Sequence, residues 1–141
     1  MHHRLHIQPA RSYSDRQSPR SRLLYGVLGL AVVAAGLLWR ADFMPLPPWL
    51  SNNGGDALWA LMVFLGFGFL LPRASTLTIA LLALTFSWCV ELSQLYHAPW
   101  IDALRAILPG RLVLGNTFNW PDLPAYALGV VLGAMAEWKW R

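Results

Sequence analysis

An all-α polytopic membrane protein, a bundle of four transmembrane helices, is the fold class that three features of this sequence predict. Of its 141 residues, 56% are hydrophobic and only 13% are charged, about half the charged fraction of a soluble domain. Four apolar segments each approach the length of about 17–25 residues that a helix needs to cross the hydrocarbon core. Turn and cap residues punctuate the chain between them. The mean hydropathy of +0.42 understates the case, because the first 22 residues are polar. The length suits one compact membrane domain, 22–141, preceded by a tail, 1–21.

The tail is rich in Arg, Ser and His without an apolar period, which predicts a disordered cytoplasmic segment. Arg4, Arg11, Arg16, Arg20 and Arg22 stand in or beside it against a single acid, Asp15. Next to an apolar run they read as a topology signal and a contact to anionic headgroups. His2, His3 and His6 lack the carboxylate or thiol partners of a metal site. No aromatic-studded basic domain accompanies the net charge of +4, so nucleic-acid binding is excluded.

The first span, about 23–39, carries no charge and would be about 25 Å long as a helix. Trp39-Arg40-Ala41-Asp42 follows it where a small-x-small cleavage site would stand, so a retained signal anchor is expected. Residues 40–55 contain Pro45, Pro47 and Pro48 and then Asn52-Asn53-Gly54-Gly55, which reads as a loop. The second span, about 56–71, stops at Pro72-Arg73. Ser75 offers an N-cap for the third, about 76–96. Pro99 to Leu108 is too short to cross. It predicts an interfacial or re-entrant helix with Ile101, Leu104, Ile107 and Leu108 on one face, Asp102 and Arg105 away from it, and Pro109-Gly110 ending it. The last span, about 121–138, precedes Lys139 and Arg141.

Orientation follows from the basic residues. Eight fall on the tail side and three, Arg40, Arg105 and Arg111, on the other, which predicts both termini in the cytoplasm. Trp39, Trp49, Trp100 and Trp120 would mark the outer interface, and Trp138 and Trp140 the inner one. Ala125, Gly129 and Gly133 form a small-residue ridge that admits a close helix neighbour, either within the bundle or in an oligomer. The single cysteine, Cys89, precludes an internal disulfide and reads as a buried thiol.

Ionisable groups inside a membrane span need an account. Asp56 follows a Gly-Gly pair and Asp122 follows Pro121, so each is placed to cap the start of a helix and meet its positive dipole end. Glu91 stands near the outer end of its helix, where the dipole disfavours an anion. Ser87 and Gln94 share its face, which should turn inward, either as an inter-helix network or as a polar pocket open to the outer side. The candidate pocket residues are therefore Glu91, Gln94, Asp122, Asp56, Ser87 and Arg111, with Arg105 and His97 as further counter-charges. No phosphate loop, paired-histidine metal motif or nucleophile elbow occurs, so no cofactor and no metal site are expected.

Asp56-Ala-Leu-Trp opening one span, Glu91-Leu-Ser-Gln94 closing the next, and Gly115-Asn-Thr-Phe-Asn-Trp-Pro-Asp122 leading into a Gly129-bearing helix resemble the VanZ-like membrane proteins. The stretch from Gly55 to about Glu137 resembles more closely a small bacterial family known as a domain of unknown function, number 2809. The resemblance implies a protein of the bacterial cytoplasmic membrane, and VanZ-like proteins are associated with low-level resistance to glycopeptide antibiotics. Asp56, Glu91, Gln94 and Asp122 carry the VanZ-like pattern over. Ala57 and Ala60 stand where that pattern has a lysine and a histidine, Asn116 and Asn119 where it has an arginine and an aspartate, and Tyr126 where it has an asparagine. Most of the groups suited to acid–base or phosphate chemistry are thereby missing. Three functions remain: binding of an envelope lipid, a glycopeptide-type drug or a partner protein; an enzyme on a lipid-linked or cell-wall precursor with Glu91 and Asp122 as acid and base; and an oligomeric transporter or scaffold.

Overall fold

The computed structural model describes residues 18–40 and 47–141. The tail residues up to 17, Ala41, Asp42 and Pro45, and the side chains of Arg40, Trp49 and Asn52, lie outside this description. The described chain forms six helices: α1 (Arg22–Arg40), α2 (Pro48–Leu70), α3 (Thr76–Ser93), α4 (Pro99–Ala106), α5 (Leu108–Leu114) and α6 (Asp122–Trp140). Three are long and apolar enough to cross a membrane, over 22–39, 53–70 and 76–93. The fourth long helix, α6, has 19 residues and contains Asp122, Glu137 and Lys139.

α2 is the central element, packed against α1, α3 and α6, while α3 also packs on α6. Ala60, Phe64, Ile79, Ala83, Tyr126 and Val130 are the centre of the core. The outer faces stay apolar all round: Leu30 on α1 is 72% exposed, Leu77 on α3 69% and Leu128 on α6 56%. A surface of this kind suits lipid rather than water as solvent.

Several expectations are corrected. The loop expected over 40–55 is helical from Pro48, with Pro47 as N-cap. Proline fits the first turn of a helix, where its missing N–H has no partner to lose. The Gly-Gly pair is used for packing rather than turning, since a Cβ on Gly54 would lie 2.5 Å from the Trp39 ring of α1. Asp56 therefore sits two turns inside α2 rather than at its start.

The helix expected over 99–108 is two helices, because Pro109 breaks the first and stands in the opening turn of the second. Arg105 is not turned away but buried with Ile101, whereas Leu104, Ile107 and Leu108 are exposed. The reason lies in the end of α3, whose last carbonyls lack helical donors. Arg105 donates to Ser93 O at 2.7 Å and to Tyr96 O at 2.9 Å. Cys89 lies on the exposed face of α3, since Ser87, Val90 and Glu91 take the inward positions.

The tail boundary also moves. Arg20 and Glu137 are both buried, and the Arg20 Nε and Nη2 groups donate to the two Glu137 carboxylate oxygens at 3.2 and 2.5 Å. Arg141 donates to Glu137 and to Ser18 O. Ser18 to Ser21 are thus fixed at the end of the bundle where α6 finishes.

Candidate functional site

At the opposite end, α2 starts, α3 finishes and α6 starts, which brings their polar residues together. Ser87, Glu91 and Gln94 are all buried, as their shared face requires. Ser87 is fully buried and does not line the cavity described below. Its hydroxyl donates to Ala83 O one turn back at 2.8 Å, which satisfies it within its own helix.

Glu91 is fully enclosed. Its Oε1 accepts from the Asn119 backbone N–H at 2.7 Å, and its Oε2 accepts from the Tyr126 hydroxyl at 2.8 Å. A buried carboxylate needs such donors on both oxygens. Glu91 thereby ties α3 to the turn before α6 and to α6 itself. No arginine or histidine among the described residues pairs with it. Trp88 adds a second link, donating from Nε1 to Leu123 O at 3.2 Å.

In front of Tyr126 lies a cavity of about 260 Å³, walled by Asp56, Gln94, Asp122, Tyr126, Arg111 and Asn116 among others. Of the candidate residues, Asp56, Gln94, Asp122 and Arg111 share this wall, and Glu91 stands behind it. Asp122 makes no backbone cap. It accepts from Asn119 Nδ2 at 2.9 Å and shares the cavity wall with Asp56. Two carboxyl groups on one wall disfavour each other's charge unless a proton or a cation lies between them. Asp122 does stand in the first turn of α6, where the sequence placed it to meet the helix dipole, whereas Asp56 lies inside α2 rather than at its start.

Gln94 is held from the other side. Its Nε2 donates to Leu114 O at 3.0 Å, whereas its Oε1 is buried without a hydrogen-bond partner. Gly115, with φ at 63°, follows Leu114 in the left-handed region, which glycine enters without strain. A Cβ there would also strike the Gln94 amide. Arg111 stands exposed at the rim, with no ion pair among the described residues. His97 pairs with Asp102 at 3.2 Å and lies outside this cavity.

Ala125, Gly129 and Gly133 are buried on α6. A Cβ on Gly129 would run into the Ala57 carbonyl, and one on Gly133 would come within 2.8 Å of the Phe64 ring. Among the described residues, no group of three His, Cys, Asp or Glu is placed to hold a metal ion.

Residues 45–130 match a family described as a protein of unknown function, DUF2809. The chain belongs to the DUF2809 family. The matched stretch contains Asp56, Glu91, Gln94, Arg111, Asp122 and Tyr126, so the cavity and the carboxylate behind it lie wholly within the DUF2809 segment. Arg20, Glu137 and Arg141, at the other end of the bundle, lie outside it. No solved structure matches the chain.

Sequence reasoning missed Tyr126 and Glu137 as functional partners. The signal was present in the spacing of α6, where Asp122, Tyr126, Gly129, Gly133 and Glu137 fall at intervals of three or four and so lie on one face.

Proposed function

We propose that this DUF2809 protein is a four-span protein of the bacterial cytoplasmic membrane that binds a small ligand carrying a primary ammonium in its outward-facing polar cavity. The cavity wall carries the reading: Asp56 and Asp122 line it together, with a Gln94 whose carbonyl oxygen is buried and unpartnered. An ammonium group brings three donors and a positive charge, which answers both features at once. Burying an acceptor without a partner costs about 1–3 kcal/mol, so a ligand that supplies the donor gains that energy on binding.

Four spans with both termini in the cytoplasm suit the rest of the molecule. α6, at 19 residues, would be about 28 Å long, near the hydrocarbon thickness. The segments holding Arg20 and Arg141 meet at one end of the bundle, and the basic residues favour that end as cytoplasmic.

The test is the melting temperature of the purified protein in detergent with phosphoethanolamine, with ethylene glycol as the uncharged control. A ligand that binds only the folded state raises stability with its concentration. A saturable rise with phosphoethanolamine, absent with the control and absent in Asp122→Asn, is the expected result. Identical melting with and without phosphoethanolamine refutes the reading.

A further inference from the structure

A second cavity adjoins the polar one. It encloses about 170 Å³ between α1 and α2, where Val32, Val33, Gly36 and Leu37 face Leu58 and Met62. Its lining is almost wholly apolar. Trp59, Leu112 and Val113 belong to the walls of both cavities, so the two are neighbouring compartments that meet at these side chains. Val33 and Leu37 are exposed on the outer surface of α1, and among the described helices α1 packs on α2 alone. The apolar cleft therefore opens sideways, toward the lipid.

We propose that the ligand is a membrane amphiphile, a primary-amine phospholipid whose headgroup enters the polar cavity while one acyl chain lies in the α1–α2 cleft. This inference rests on the ammonium-binding reading above and adds the chain and the phosphate to it. The order of groups along the wall matches the order along such a lipid. Asp56, Asp122 and Gln94 Oε1 take the ammonium. Arg111, a cation with no ion pair among the described residues, is placed for the phosphate. Leu112 and Val113, the next two residues, stand where the polar cavity gives way to the apolar cleft. A choline head has no N–H donor to offer Gln94, and a glycerol head brings no positive charge to the aspartate pair.

Gly36 makes the inference testable without disturbing the core, because a Cβ at this position meets nothing within 4 Å. Gly36→Phe fills the cleft from its open side, and Val33→Trp is the second variant should the first fail to fold. Retention of phosphatidylethanolamine by the full chain is measured by native mass spectrometry against phosphatidylglycerol and phosphatidylcholine of the same acyl chains. Wild type is expected to retain the ethanolamine lipid at least about tenfold better than either competitor, a difference of about 1.4 kcal/mol. A folded cleft variant is expected to lose about tenfold in that retention while its melting temperature still rises with phosphoethanolamine. Equal retention of the three lipids by wild type overturns the proposal. So does unchanged retention by the folded cleft variants, and in both cases a phosphoethanolamine response leaves the polar-cavity reading standing. Absence of that response in wild type removes the polar-cavity reading itself, and this proposal with it.

Discussion

Glu91 reaches 35 residues along the chain to the Tyr126 hydroxyl at 2.8 Å and, with its other oxygen, 28 residues to the Asn119 N–H at 2.7 Å. The carboxylate spans the junction of α3 and α6 and uses both oxygens on protein donors. Glu91→Leu leaves the buried Tyr126 hydroxyl without an acceptor, at about 1–3 kcal/mol, and the part-buried Asn119 N–H as well, at less. Glu91→Gln keeps an acceptor oxygen for one of them and should lose about half as much. Melting in detergent separates the two variants, and a Glu91→Leu protein as stable as wild type contradicts the structural role.

Tyr126→Phe removes one half of the same link. A double-mutant cycle with Glu91→Gln should return a coupling of about 0.5–3 kcal/mol, the range for residues in direct contact. Additive losses would mean that the two side chains do not meet.

The Arg20–Glu137 pair supports the other end of the bundle. Arg20→Ala strands a buried carboxylate with fewer donors, and breaking a buried pair from one side costs about 3–5 kcal/mol. The double replacement Arg20→Met with Glu137→Leu should recover part of that loss, because no charge is then left without its partner. Membrane abundance and melting temperature report both. A double variant less stable than Arg20→Ala would show that the ion pair stabilises the fold beyond satisfying itself.

Gly129 faces Ala57 inside the bundle, which bears on the oligomer reading of its ridge. Gly129→Leu should lower the melting temperature by overpacking the α2–α6 contact, at about 1–3 kcal/mol or more, without changing the mass of the protein in detergent. A shift from a larger assembly to monomer with stability intact would instead place the ridge at an interface between copies.

Orientation is checked by cysteine labelling in a Cys89→Ser background. Ala103→Cys, in the exposed part of α4, should react with a membrane-impermeant maleimide on intact cells stripped of any outer barrier. Ser18→Cys should react only after lysis. The reverse pattern would turn the cavity toward the cytoplasm.

Much of this architecture was legible in the residues. Uncharged runs and their lengths mark the three helices that are apolar enough to cross a membrane, and the three- and four-residue spacing of Ser87, Glu91 and Gln94 puts them on one inward face. Three features were not legible, each for a physical reason. Asn52-Asn53-Gly54-Gly55 has the chemistry of a turn, yet the gap left by a missing Cβ at Gly54 serves packing against Trp39, and tertiary contact overrides local preference. Arg105 is buried because carbonyls at the end of α3 and in the turn after it need donors, a demand that lies 12 and 9 residues away from it. Glu137 finds Arg20 across 117 residues, a pairing that no local pattern reveals.

Glu91 also sets an order of assembly. Both of its partners come later in the chain, so when a ribosome has delivered α1, α2 and α3 to the bilayer this carboxylate still has neither. α6, which carries acids at both ends, follows them in the chain and finds the donors for those acids already in place: Asn119 just ahead of it, and Arg20 and Thr76 at its far end. The long helix least suited to lipid on its own is thus the one that answers Glu91, Arg20 and Thr76. A transcript truncated before codon 119 would leave a bare carboxylate in the membrane, the kind of defect that quality-control proteases recognise.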